Sequence, residues 1–321
     1  MAQFTRYTSA EVGAPALSGS SGSLLVLLDA CLVNGFGSRT GVGWTKPWAN
    51  TGSYGCIQQG TGSFCSMFIK DDAPGAGGTR EARVTGWESI SNMTLGLATG
   101  SGQFPTVAQL AIGQGAVVVR KSATIDSTLR SWNVFADSRS AYLFIEADTA
   151  GVWKGYAFGD IYSVKTGSLD QYKCMIAGKI VENTSTATGD RLDALSAINA
   201  ATTGHFIARS YSGASGSVLI GKHGDATKGS ATVLLGGVIY PNSADNGMYI
   251  SPVWVHESAT SMVRGRMRGL YQVCHTLASF PTDGVTFTGS ADYNGKNFML
   301  LRQSGNSGMY LLETSNTLET N

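Results

Sequence analysis

Four histidines, five cysteines and one short arginine run are the residues of this 321-residue chain whose types could carry chemistry. His256-Glu257 lacks the second histidine of an H-E-x-x-H zinc helix, so it is not a zincin motif. His205 and His256 fall within strand-like segments and His275 just beyond one. A sheet can gather such residues, but a histidine held by ordinary hydrogen bonds is the expectation at each. His223, in Gly221-Lys222-His223-Gly224-Asp225, reads as a solvent-facing turn residue. Cys31, Cys56, Cys65, Cys174 and Cys274 are odd in number and widely spaced, with no C-x-x-C. That excludes a zinc ribbon and argues against a disulfide framework. Their apolar neighbours predict small buried side chains in a reducing compartment.

Acidic turns are the next candidates. Asn242-Ser243-Ala244-Asp245-Asn246-Gly247 and Asp292-Tyr293-Asn294-Gly295 resemble fragments of calcium loops, but neither carries the full ligand ladder or its closing glutamate. Asx turns account for both. There is no G-x-S-x-G nucleophile elbow, and the glycine-rich run Gly35 to Gly43 matches no phosphate-binding motif. The expectation is therefore a protein that is not an enzyme, with no catalytic, cofactor-binding or metal residues to name and no cofactor. The formal net charge is +1, and the densest basic run is Arg264-Gly265-Arg266-Met267-Arg268. A duplex-binding surface needs clustered Lys and Arg to displace counterions. One strand's worth of alternating arginine predicts a solvated strand face or a subunit contact, and no nucleic-acid partner. The sequons Asn92-Met93-Thr94 and Asn183-Thr184-Ser185 read as chance matches if the chain is not secreted.

The strongest element signal is Ser23 to Asn34, and between those two ends only Asp29 is charged. Ser21 or Ser23 is placed to cap its start, and Asn34-Gly35 to stop it. A helix apolar on nearly all sides is a buried helix. At this length it cannot cross a bilayer, which takes about 20 apolar residues, so no membrane insertion is expected. The rest of the chain is mainly β. Short β-branched and aromatic runs alternate with turns rich in glycine, of which there are 42. The reading is antiparallel β-sandwich or barrel-like blocks with one buried N-terminal helix (about 23–34) and few short helices. Residues 1–20 read as an extended N-terminal arm, 21–182 as the helix plus a first β block, and 204–321 as a second, sandwich-like block. A soft boundary lies at 183–203, where Asp190 to Ala200 could form a short helix. Trp44 and Trp48 read as core cover rather than an interface anchor. Trp132–Ala136 and Tyr142–Ala147 flank a turn at Asp137-Ser138-Arg139-Ser140, a clear hairpin signal. Residues 88–114 are ambiguous, with Gly96 to Gly102 loop-like and a short helix near Phe104 to Leu110.

Several stretches together resemble a family of minor structural proteins of tailed-bacteriophage virions. They are Leu28-Asp29-Ala30-Cys31-Leu32-Val33-Asn34-Gly35-Phe36-Gly37, with Gly43-Trp44-Thr45-Lys46-Pro47 after it. Further on come Ala136-Asp137-Ser138-Arg139, Tyr142-Leu143-Phe144 and Phe158-Gly159-Asp160-Ile161. The last are Ser251-Pro252-Val253-Trp254-Val255-His256-Glu257 and Val263-Arg264-Gly265-Arg266-Met267-Arg268-Gly269. The resemblance supplies no catalytic residues. It implies a virion component of the tail, baseplate or neck, assembled in the bacterial host cytoplasm. Its expected partners are copies of itself, as a trimer or hexameric ring, and other virion proteins. A head-decoration protein is the alternative within that class. A receptor- or glycan-binding adhesin module contacting the host cell surface is the alternative from another.

Overall fold

A computed structural model describes residues 4–73, 77–94, 96–109, 117–148, 150, 153–165, 170–180, 203–215, 219–221, 241–257, 262–273, 275, 284–302 and 309–314. The fold is mainly β, with three antiparallel sheets. The expected helix forms as α1 (Ser23–Asp29) and continues as a π-helical turn over Ala30–Asn34. Leu24, Leu25, Leu27, Leu28, Cys31 and Leu32 are buried, while Val26 looks outward at 59% exposure. The stop is where the sequence puts it: Gly35 takes a φ of 82° and its N–H donates to the Ala30 carbonyl at 2.7 Å. The start is different. Gly22 holds the N-cap position and no serine side chain caps the helix. The Asp71 carboxylate, from far along the chain, accepts the Leu24 N–H at 2.8 Å instead.

The central sheet has six described strands. Their order is β1 (Thr5–Thr8), β7 (Trp132–Ala136), β8 (Ser140–Ile145), β9 (Lys154–Asp160), β11 (Cys174–Lys179) and β12 (Thr203–Ile207). Side chains alternate across a strand. Val134, Leu143, Ile145, Tyr156, Phe158 and Ile176 therefore share one core with α1. Phe135, Tyr142, Phe144, Ala157, Met175 and Ala177 enter a second core on the other face. Both faces are covered, so β7, β8, β9 and β11 are buried at every residue and read as apolar runs rather than alternating ones.

A second sheet closes the α1 side. It contains β2 (Tyr54–Gln58), β3 (Ser66–Lys70), β4 (Glu81–Thr94) and β5 (Leu97–Phe104), with β6 (Val117–Arg120) also on β4. A third sheet closes the opposite side. Its order is β13 (Leu219–Gly221), β14 (Ile250–Glu257), β15 (Met262–Val273), β18 (Met309–Glu313), β17 (Asn297–Arg302) and β16 (Thr286–Thr288), and β10 (Tyr162–Ser163) also pairs with β15. The result is three stacked sheets with the helix between the first two.

Three expectations need correction. The N-terminal segment is not a free arm: β1 pairs with β7, Thr5 opposite Ala136, and Phe4 and Tyr7 are buried on this chain's own cores. The polar stretch that follows hid the alternating apolar residues before it. The division into two blocks is also crossed. β12 pairs with β11, and β10 from the first block pairs with β15 from the second. The proposed helix at Asp190 to Ala200, His223, Cys274 and the Asn183 sequon lie outside the described residues. The loop-like Gly96 to Gly102 belongs, from Leu97 onward, to β5. Gly100 is there for space, since a Cβ on it would lie 2.0 Å from the Ser89 carbonyl oxygen across the hairpin. Of the short helix expected near Phe104 to Leu110, the described residues show one turn, Val107–Gln109.

Candidate functional site: a charged junction of three sheets

Of the two expectations for the arginine run, a solvated strand face or a subunit contact, the first does not hold for Arg264 and Arg268. Arg264 and Arg268 on β15 are buried, at 1% and 4% exposure. Strand alternation puts positions 264, 266 and 268 on one side of β15, where Arg264 and Arg268 meet carboxylates and Arg266 is half-buried. Arg268 donates from Nη1 to Asp137 Oδ1 at 3.0 Å and to Ser140 Oγ at 3.1 Å, while Nη2 lies 2.6 Å from Asp137 Oδ2. Its guanidinium also lies over the Phe4 and Tyr162 rings, 5.7 and 5.4 Å from their centroids. Arg266 covers Tyr162 as well, at 5.3 Å.

Asp137 opens the β7–β8 turn, the hairpin expected from sequence. Its Oδ1 accepts the N–H groups of Arg139 at 2.7 Å and Ser140 at 2.8 Å. A turn-forming carboxylate is thus also the partner of an arginine 131 residues away. The same turn reaches the second sheet. Trp44 Nε1 donates to the Asp137 carbonyl at 2.6 Å, and the Gly60 N–H to the Ser138 carbonyl at 3.1 Å. Asp160, at the end of β9, accepts Gln59 Nε2 at 3.0 Å and the Ser63 N–H at 3.2 Å. Burial pushes the Asp160 carboxyl up from its ordinary value, against the pull of these donors. Gly159 leaves room for the approach: a Cβ there would meet the Arg139 carbonyl oxygen at 2.4 Å. Tyr142 closes the set by donating its hydroxyl to the Arg268 carbonyl at 2.7 Å.

Arg264 makes a second fastening. Nη2 donates to Asp170 Oδ1 at 2.8 Å, Nη1 to Ser163 Oγ at 2.6 Å, and Nε lies 3.4 Å from Glu257 Oε1. Burial alone would raise the Asp170 carboxyl, but the Arg264 and Ser163 hydrogen bonds outweigh it and hold it below its ordinary value.

A third cluster escaped the sequence reading. Arg120 bridges Glu81 at 3.1 Å and Asp148 at 2.8 Å, and Lys154 meets Asp148 at 2.9 Å, all nearly fully buried. Another buried pair, Lys121 with Asp71, stands at the start of α1. The available signal was the placement of Arg120-Lys121 directly after Val117-Val118-Val119 in a chain with only 14% charged residues.

The histidines do not gather into a site. His205 lies on the central sheet opposite Ala177. His256 lies near one end of β14, whereas His275 serves the other end, its Nε2 accepting the Tyr249 N–H at 2.6 Å. Asp245 accepts Asn242 Nδ2 at 2.6 Å and the Gly247 N–H at 2.9 Å, as an Asx turn should. Trp44 is core, as expected, and packs on Phe158 at 5.9 Å between ring centroids. Cys31, Cys56, Cys65 and Cys174 are free thiols buried in the interior. Among the described residues no three His, Cys, Asp or Glu side chains come together as a metal site, and no helix is long and apolar enough to cross a membrane.

At the junction each carboxylate is bound by a guanidinium or by amide donors, and a guanidinium neither gives nor takes a proton near neutral pH. What this arrangement does is fasten three sheets at one place. In comparisons with known proteins, no family model matches the chain and no curated protein is significantly similar to it.

Proposed function

We propose that the chain is a structural component of a tailed-phage virion, in the tail, baseplate or neck, without catalytic activity. It assembles in the host cytoplasm and acts through symmetric contacts with copies of itself and with neighbouring virion proteins. The observation that carries this reading is where the residues of the phage-protein resemblance lie. Trp44, Asp137, Tyr142, Asp160 and Arg268 come from five separate stretches of that resemblance and are hydrogen-bonded at a single junction. On this reading the resembling stretches serve to fasten a rigid β body, which suits a particle component. The aromatic side chains point the same way. An adhesin presents clustered aromatics on loop tips, whereas among the described residues only Phe64, Tyr211 and Tyr249 are exposed aromatics. Tyr211 is capped by Lys165 at 5.4 Å, and Tyr249 is bound to Asp245 through its hydroxyl at 2.5 Å.

Electron microscopy of the concentrated protein, run beside a binding assay of labelled protein on bacterial cells and glycan arrays, tests the proposal. Closed rings or trimers without saturable cell binding are expected. A monomer that binds cells or glycans saturably would replace the proposal with the adhesin reading.

A further inference from the structure

The geometry points to a covalent cross-link inside the core: the Lys121 side-chain amine and the Asp71 side-chain carboxyl are placed to condense into an amide with loss of water. Asp71 directly follows β3 and Lys121 directly follows β6. Both side chains are 0% exposed, and Nζ is in direct contact with Oδ1. The other carboxylate oxygen, Oδ2, faces two backbone donors, the N–H groups of Leu24 at 2.8 Å and Leu25 at 3.4 Å. Nζ is oriented by a further bond, donated to the Ser20 carbonyl at 2.6 Å. Nucleophile, electrophile and oxyanion donors are therefore assembled in one dry site.

The step balances without an outside reagent. A proton passes from the Lys121 ammonium to Oδ1, giving a neutral amine beside a neutral carboxylic acid. Burial favours that neutral pair, pushing the Asp71 carboxyl up to about 6 and the Lys121 amine down. Nζ then attacks Cγ, and the charge that develops on Oδ2 is held by the Leu24 and Leu25 N–H groups, as in an oxyanion hole. The Nζ–Cγ bond forms, a second proton moves from nitrogen to Oδ1, the Cγ–Oδ1 bond breaks and water leaves. The remaining amide N–H keeps the Ser20 carbonyl as its acceptor. Condensation also removes two buried charges, whose desolvation works against any buried ion pair. The neighbouring Lys154–Asp148 pair lacks these conditions, because its carboxylate is shared with the Arg120 guanidinium, whose Nε lies 2.8 Å from Asp148 Oδ1.

The test is the intact mass of the purified full chain under denaturing, reducing conditions, with a proteolytic digest read by tandem fragmentation. The expected result is a chain lighter than its sequence by one water, and a branched peptide joining the segments around residues 71 and 121. Lys121→Arg keeps the cation and removes the amine, so that variant should have its full sequence mass. If Lys121→Arg does not fold, the wild-type digest decides alone. A wild type of full mass, with the two peptides recovered separately, would overturn the cross-link. So would a water loss that maps to a single linear peptide.

Discussion

Asp137 and Arg268 show how one residue acts at two ranges. Asp137 shapes a local turn and also binds an arginine that arrives from the third sheet. Removing one partner of a fully buried pair leaves the other charge without compensation, which costs about 3–5 kcal/mol. Arg268→Ala should therefore lower the urea midpoint by a loss of that size. A double-mutant cycle with Asp137→Ala should show a coupling above about 1 kcal/mol, since the side chains touch. Additive effects would mean that the pair fastens nothing. Asp170 gives a pH prediction. Its folded carboxyl sits below its ordinary value, so its contribution to stability is present at neutral pH. That contribution is lost as pH falls through the ordinary carboxylate range and on through the lowered folded value. Asp170→Asn should be less stable than wild type at neutral pH, and the difference should shrink on acidification. A constant difference across the acid range would contradict the assignment.

Elements were legible where local rules decide them and illegible where distant contacts do. The α1 stop at Gly35 and the β7–β8 hairpin followed from backbone chemistry within a few residues. The α1 start did not, because its capping group is Asp71, about 50 residues away. The arginine run was legible as a strand, but of a solvated face or a subunit contact, the two readings open to it, the first fails at Arg264 and Arg268, which are buried within this chain. Period two tells which residues share a face, but it does not say what covers that face. β1 was missed because two apolar residues beside a polar stretch carry little weight without the strand they pair with. The candidate site was present in the sequence only as scattered motifs, since nothing local links position 137 to 268. The correction at β1 reverses an obvious experiment. Deleting residues 1–8 removes buried Phe4 and Tyr7 and uncovers the edge of β7, so the truncated chain should unfold at markedly lower temperature. For Phe4→Ala alone, a core truncation of this size costs about 3–5 kcal/mol. A truncated chain with unchanged thermal unfolding would restore the free-arm reading.

At the scale of the molecule, charge and shape divide the work. The chain has few charged residues, and many of them are turned inward to fasten the three sheets. A net charge of +1 gives little long-range attraction or repulsion between copies. If the chain assembles as proposed, contacts between its copies rest on shape and apolar area, so assembly should change little between low and high salt. The most direct measurement is sedimentation velocity of the full chain over a wide concentration range, at both salt levels. One closed oligomer, a trimer or a hexameric ring, is expected to persist on dilution and to be insensitive to salt. A monomer at every concentration would contradict the proposed assembly.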